Sequence, residues 1–223
     1  MKKIFINKLS VILFLTCFFT PDFSVEARSS YWHQRVSLFD KLPINENDIV
    51  FLGNSITDGG EFAELFDKES VKNRGINSDV ISGVRERLDQ VTSGKPSKIF
   101  LLIGINDVSH NLTPRQIADE YELLVKEIRT KSPSTRLYIQ SLMPINNDFG
   151  RYKNLRGKEN VILKVNELLQ EIAKNNDATF IDLWPSLSDE NGKLKRNYTN
   201  DGLHLLGKGY KAWAAHIKNF VEE

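Results

Sequence analysis

Ser55 stands in Gly53-Asn54-Ser55-Ile56-Thr57-Asp58, directly behind an apolar run, so a hydroxyl sits at the end of a candidate strand on a glycine-permitted turn. A serine hydroxyl is a poor nucleophile unless a base removes its proton during attack. Imidazole, with an unperturbed pKa of about 6.5, suits that task near neutrality. His204, in Asp201-Gly202-Leu203-His204, is the candidate base. A carboxylate three residues earlier on a turn can reach Nδ1 and leave Nε2 for the serine, which is the part given to Asp201. Attack on an acyl carbon puts negative charge on the former carbonyl oxygen. Preorganised N–H donors stabilise it, each by roughly 3–4 kcal/mol in a dry site. The amides of Ser55 and of Gly75, in Asn73-Arg74-Gly75-Ile76-Asn77, and the carboxamide of Asn106, in Gly104-Ile105-Asn106-Asp107, are the candidate donors.

Each of these residues has a plainer reading when taken alone. Ser55 can be a turn residue or helix cap, Asp201 an Asx-turn acceptor, and His204 a satisfied polar group at a helix start. Together they contain every part of a serine hydrolase. Asn77 and His110 are candidate substrate contacts, and His110 is equally readable as a surface-loop residue. His33 and His216 lie on amphipathic helical patterns and read as structural, while Trp184, Trp213 and the phenylalanines read as core. No histidine pair has metal-ligand spacing, so neither a metal nor another cofactor is expected.

The elements that must position these groups alternate between short β-branched runs and longer segments of helical period, the pattern of a parallel sheet covered by helices on both faces. Strands are expected over 48–52, 70–73, 98–103, 136–140 and 178–182. The runs "IVFLG", "KIFLLIG" and "TFIDL" are nearly all apolar and must be buried on both sides. Helices are expected over 60–66, 80–91, 113–130, 156–175 and 207–221. Trp32, Val36 and Phe39, spaced i, i+4, i+7, suggest a further helix outside the sheet. The poorly patterned stretch 141–155 follows the fourth strand and is a candidate wall of the ligand crevice.

Lys2, Lys3 and Lys8 precede an apolar run, 11–20, about half as long as a bilayer span, and Val25-Glu26-Ala27 fits a signal-peptidase site. Residues 1–27 are therefore read as an export signal, leaving 28–223 as one domain, secreted or periplasmic, with no membrane span. That stretch carries 27 basic and 27 acidic residues, interspersed, which argues against a nucleic-acid partner. The chain's one cysteine, Cys17, falls inside the signal, which removes disulfides and thiolate catalysis from the exported protein; lipidation at Cys17 is a minor alternative. The sequence leaves the oligomeric state open.

Thr57, two residues after the candidate nucleophile, stands where the α/β-hydrolase elbow needs glycine, which excludes that fold. The blocks "VFLGNSIT", "NRGIN", "LLIGINDV" and "DGLHL", in that order, resemble those of the SGNH (GDSL-type) esterase and acylhydrolase superfamily. The resemblance implies a flavodoxin-like three-layer α/β/α sandwich with a five-stranded parallel sheet. It also implies Ser55 as nucleophile, Gly75 and Asn106 as oxyanion donors, and His204 as base with Asp201 behind it. Asn54 departs from the signature, which usually has aspartate there. Within the superfamily the spacing resembles small secreted bacterial esterases related to platelet-activating-factor acetylhydrolases and carbohydrate O-acetylesterases, implying a glycan or other small ester as substrate. A lysophospholipase or thioesterase is the alternative within enzymes. Leu142, Met143, Ile145 and Phe149 would then offer an apolar groove, although Asn146, Asn147, Asp148 and Arg151 tilt the stretch toward a polar ligand. A glycan-binding protein without turnover is the alternative from another class.

Overall fold

Strands that are apolar on both faces need helices above and below them, and the fold supplies these. The structure, a computed structural model, describes residues 28–223; the export signal read over 1–27, with Cys17, lies outside them. In chain order the principal elements are α1 (Ser30–Phe39), β1 (Ile49–Gly53), α2 (Ser55–Asp58), α3 (Phe62–Leu65), β2 (Val71–Gly75), α4 (Ile81–Glu86), α5 (Asp89–Thr92) and β3 (Lys98–Leu102). They continue with α6 (Ile105–Ser109), α7 (Pro114–Lys131), β4 (Arg136–Gln140), α8 (Glu159–Asn175), β5 (Thr179–Ile181), α9 (Trp184–Leu187) and α10 (Gly207–Glu222). The five strands are parallel, in the order β2-β1-β3-β4-β5. This is the flavodoxin-like order, in which the chain reverses direction across the sheet between β1 and β3 and opens a crevice at their carboxyl ends. Ser55 follows β1 and Asn106 follows β3, so both stand at that crevice.

Register explains the packing of one layer. Phe51, Phe100 and Tyr138 are direct neighbours across β1, β3 and β4, and their rings stack with centroids 4.9 and 4.5 Å apart. Phe62 from α3 stacks on Phe51 at 4.0 Å, and the fully buried Trp213 from α10 meets Phe51 and Phe62 edge-on. The indole N–H of Trp213 donates to Gln140 Oε1 at 2.7 Å, so the aromatic core hides no unpaired indole. The alternate residues Val50, Leu52, Ile99, Leu101 and Ile139 point to the opposite face by the two-residue period, toward the layer built by α4, α7 and α8. The start of α7 is fixed by a capping box between Thr113 and Gln116 with Pro114 in its first turn. Outside this sandwich α1 lays Trp32, Val36 and Phe39 on Ile76.

Three elements depart from the expectation for physical reasons. β5, read from "TFIDL" as buried on both sides, is an edge strand with Thr179 exposed and Phe180 half-buried. The helix expected over 80–91 is broken at Arg87, whose backbone leaves the helical region as its guanidinium turns inward. There Arg87 donates through Nε to Asp79 Oδ2 at 2.8 Å and through Nη2 to the Gly53 carbonyl at 3.1 Å. The stretch 141–155 is also only partly a wall. Leu142, Met143 and Ile145 are core residues, because Asn166 clasps the Leu142 backbone from both sides and Trp184 Nε1 donates to the Leu142 carbonyl at 2.8 Å. Only residues from Arg151 onward reach the crevice. Among the described residues no helix is long and apolar enough to cross a membrane.

Candidate active site

Ser55 is the first residue of α2, and the departure at Asn54 has a local explanation. Asn54 caps the helix, its Oδ1 accepting the Ile56 amide at 3.0 Å, so asparagine supplies the same acceptor an aspartate would. The Ser55 amide lies in a first helical turn, where N–H groups have no intrahelical acceptor.

Ser55 Oγ lies 2.9 Å from His204 Nε2, and His204 Nδ1 lies 2.8 Å from Asp201 Oδ2. With the proton on Nδ1 donated to the carboxylate, Nε2 is left to accept from the serine hydroxyl. The "DGLH" turn holds this pair locally. Asp201 Oδ1 accepts the amides of Leu203 and His204 at 2.9 and 2.8 Å, and Thr199 Oγ1 accepts the Gly202 amide at 2.9 Å. Gly202 has φ +90°, and a Cβ there would lie 2.2 Å from the Asn146 carbonyl oxygen, so both backbone and space require glycine.

Burial alone would raise the Asp201 pKa. The hydrogen bonds from the His204 ring, the Leu203 and His204 amides and Tyr152 outweigh it and bring the carboxyl down to about 2. Tyr152 is a residue that sequence reasoning missed. Its hydroxyl lies 3.0 Å from both Asp201 Oδ2 and His204 Nδ1, and its ring meets the imidazole edge-on. Because Nδ1 carries a proton toward Asp201, the phenol donates to the carboxylate. Burial, and then the hydrogen bond to Asp201, push the phenol pKa up to about 12 and keep it a donor.

Asn106 and the loop after β2 meet across the crevice. Asn106 Nδ2 donates to the Asp79 carbonyl at 2.8 Å, which fixes the carboxamide orientation and leaves its second N–H available. Asp79 is itself pinned: Trp32 Nε1 donates to its Oδ1 at 3.1 Å, and the fully buried Arg87 pairs with its Oδ2. Removing one partner of such a buried pair costs roughly 3–5 kcal/mol, because it leaves the other charge buried and uncompensated. Beside Asn106, burial pushes the Asp107 carboxyl up to about 7, where it accepts the Ile81 amide at the start of α4.

Gly75 requires a correction. Its amide donates to Asn73 Oδ1 at 2.7 Å, and the residue is buried at the end of β2, where a Cβ would meet the Asp58 amide nitrogen at 2.1 Å. The glycine serves close packing, and its N–H does not face the crevice. Ser78 is a residue of this loop that faces the crevice. It is exposed, has φ +63°, lines the cleft with Ser55 and Asn106, and gives its amide to no acceptor among the described residues. The signal available in the sequence is the polar triplet Asn77-Ser78-Asp79, a candidate for a left-handed turn residue.

The cleft over Ser55 has a volume of about 450 Å³ and is lined by Asn77, Ser78, Asn106, Ser109 and His204, with residues 151–155 and Leu203 on the other side. Asn77 is therefore in the site. His110 is not: it lines a neighbouring cleft of about 200 Å³ with Arg28, Trp32 and Asp79, which adjoins the first at Asn77 and Ser78. Among the described residues no group of three or more His, Cys, Asp or Glu side chains is arranged to hold a metal ion.

A serine, an imidazole and a carboxylate in line at the carboxyl end of a flavodoxin-like sheet are what acyl transfer through a serine needs. The chain is a member of the GDSL-like lipase/acylhydrolase family, whose profile matches residues 51–212. It is 26% identical over 171 residues to the platelet-activating factor acetylhydrolase IB subunit alpha2 of Rattus norvegicus, covering 74% of this chain and 72% of that protein. It is 28% identical over 182 residues to an N-acylneuraminate cytidylyltransferase of Escherichia coli O18:K1:H7, covering 79% of this chain but 41% of that protein. A solved structure from Streptococcus pneumonia, described as a platelet activating factor, has a TM-score of 0.78 at 28% identity, covering 86% of this chain and 92% of that chain. A GDSL-like lipase from Bacteroides thetaiotaomicron VPI-5482 shares the fold, with a TM-score of 0.74 at 23% identity over 86% of this chain and 97% of that chain.

Proposed function

We propose that this acylhydrolase is an exported serine esterase that removes a short acyl group, acetyl above all, from a polar, carbohydrate-like alcohol. The observation that carries the reading is the cleft. Around Ser55 it presents the amides, hydroxyls and cations of Asn77, Ser78, Asn106, Ser109, Arg151 and Lys153 beside the ring of Tyr152 and the nearly buried Leu155 and Leu203. Leu142, Met143 and Ile145, which a long acyl chain would need, are in the core, and Phe149 is half-buried beneath Arg196 and does not line the cleft. The acetylhydrolase named among the relatives points to the same acyl group, and the N-acylneuraminate enzyme to a sugar scaffold.

In this mechanism Ser55 Oγ attacks the acyl carbon while its proton passes to His204 Nε2, and Asp201 stabilises the imidazolium. The electron pair of the carbonyl moves onto oxygen, facing the amides of Ser55 and Ser78 and the free N–H of Asn106. Collapse expels the alcohol, which takes the proton from Nε2, and leaves an acyl-serine. Water then repeats the sequence and releases the acid. Residues 1–27 act as the export signal, which puts the enzyme outside the cytoplasmic membrane.

Two measurements test this. Across p-nitrophenyl esters from acetyl to palmitoyl, kcat/KM is expected to be highest at acetyl and to fall sharply above butyryl; activity rising with chain length would hand the site to a lysophospholipase or thioesterase. Asn106→Ala is expected to lower kcat by roughly 10² to 10³ with a smaller change in KM, since its donor meets charge that exists only in the transition state. A rise in KM at constant kcat would make Asn106 a ground-state contact instead.

A further inference from the structure

The stretch 151–158, "RYKNLRGK", carries Arg151, Lys153, Arg156 and Lys158 and no acidic residue. Acids next to it in sequence are already engaged: Asp148 pairs with Lys193 at 2.8 Å, and Glu159 accepts from Asn147 Nδ2 at 2.6 Å. Lys158 Nζ donates to Asn111 Oδ1 at 3.0 Å. Arg151 and Lys153 are exposed, line the cleft over Ser55, and have no carboxylate within ion-pair distance among the described residues.

Of the other charged groups around Ser55, Asp201 is the carboxylate held behind the imidazole of His204, and the rest are paired. Asp58, on the shallow side with Tyr31 and Gly59, faces Arg35 at 3.6 Å. Arg28, in the neighbouring cleft, is bound to Glu86 at 2.5 Å. The positive charge is therefore concentrated on one wall. The residue between the two cations is held in place, because Tyr152 is hydrogen bonded to Asp201 and His204. A guanidinium and an ammonium so placed, with nothing to neutralise them, match a bidentate anion and a point charge.

We infer that Arg151 and Lys153 form an anion subsite that selects esters whose scaffold carries a carboxylate or phosphate. The inference rests on the esterase reading above and narrows its substrate class to anionic acylated alcohols. Both cations are exposed to water, so each is expected to contribute a factor of a few, and the pair about tenfold, in kcat/KM.

Matched pairs separate the possible sources of the anion: O-acetylated glucuronic acid against O-acetylated glucose, and 1-acetylglycerol 3-phosphate against 1-acetylglycerol. In at least one pair the anionic ester is expected to be preferred about tenfold at low ionic strength, and that pair identifies the anion. The preference should fall to about threefold or less in the Arg151→Gln/Lys153→Gln double variant and should shrink with added salt. Ratios near one for both pairs in the wild type, or a preference that survives the double substitution, would overturn the subsite. Cleavage of p-nitrophenyl acetate with neither pair hydrolysed would overturn it too. Failure to hydrolyse any ester would instead sink the serine-esterase reading on which it rests.

Discussion

Ser55→Ala is expected to lower kcat for p-nitrophenyl acetate by about 10⁴ to 10⁶ while the protein remains folded. The substitution removes one oxygen and leaves the imidazole, the carboxylate and the oxyanion donors in place. What survives is water attack assisted by those donors, which in serine hydrolases amounts to a small residue of the full acceleration. The fold should hardly notice. Ser55 is half-buried, packs no core volume, and gives up a single hydrogen bond to His204. A melting temperature within about 2 °C of the wild type is expected from a loss of a few tenths of a kcal/mol. Turnover above a few per cent of wild type would assign the nucleophile elsewhere.

The second large effect is Asp201→Asn, for which kcat/KM is expected to fall roughly 10³ to 10⁴-fold and to stay low as pH is raised. The Asp201 carboxyl is held at about 2 by its hydrogen bonds. A carboxylate so depressed stabilises the fold above the ordinary aspartate pKa, about 3.9, and loses that contribution only as pH falls through 2. Asp201 is thus ionised wherever the enzyme works, and its carboxylate is available to hold the imidazole at every working pH. Asparagine has one oxygen, and the Leu203 and His204 amides require it at the Oδ1 position. Its NH₂ then faces Nδ1, which must accept, so Nε2 carries the proton and cannot take one from Ser55. No change of pH repairs a wrong tautomer. Near wild-type kcat/KM between about pH 5 and pH 9 would reduce Asp201 to a cap of its loop and leave a serine-histidine pair.

The layered sheet was legible because strands buried on both faces must be apolar throughout, as "IVFLG" and "KIFLLIG" are. The serine and asparagine blocks could be placed for a related reason: residues directly after β1 and β3 fall at the crevice whatever the loops do. Loop conformation was less accessible. Glycine is a fair guess for a free amide on a turn, yet at Gly75 it answers the close approach of Asp58, and the left-handed residue is Ser78. Tyr152 left no trace, since it meets Asp201 and His204 across 49 and 52 residues through a loop without periodicity. Leu142, Met143 and Ile145 read as possible groove residues because composition does not say that the Asn166 side chain draws their segment inward. The break at Arg87 depends on a buried partner, Asp79, eight residues earlier, which no helical pattern reveals.

Covalent labelling by a fluorophosphonate, followed by mass spectrometry of the digested protein, tests the central claim most directly. An activated serine beside a base is required for rapid phosphonylation. One adduct per chain is expected, on the peptide containing Ser55, forming quickly in the wild type and slowly or not at all in His204→Ala. An adduct on another residue, or labelling of Ser55 that proceeds equally fast without His204, would contradict the assignment of Ser55 as the nucleophile that His204 activates.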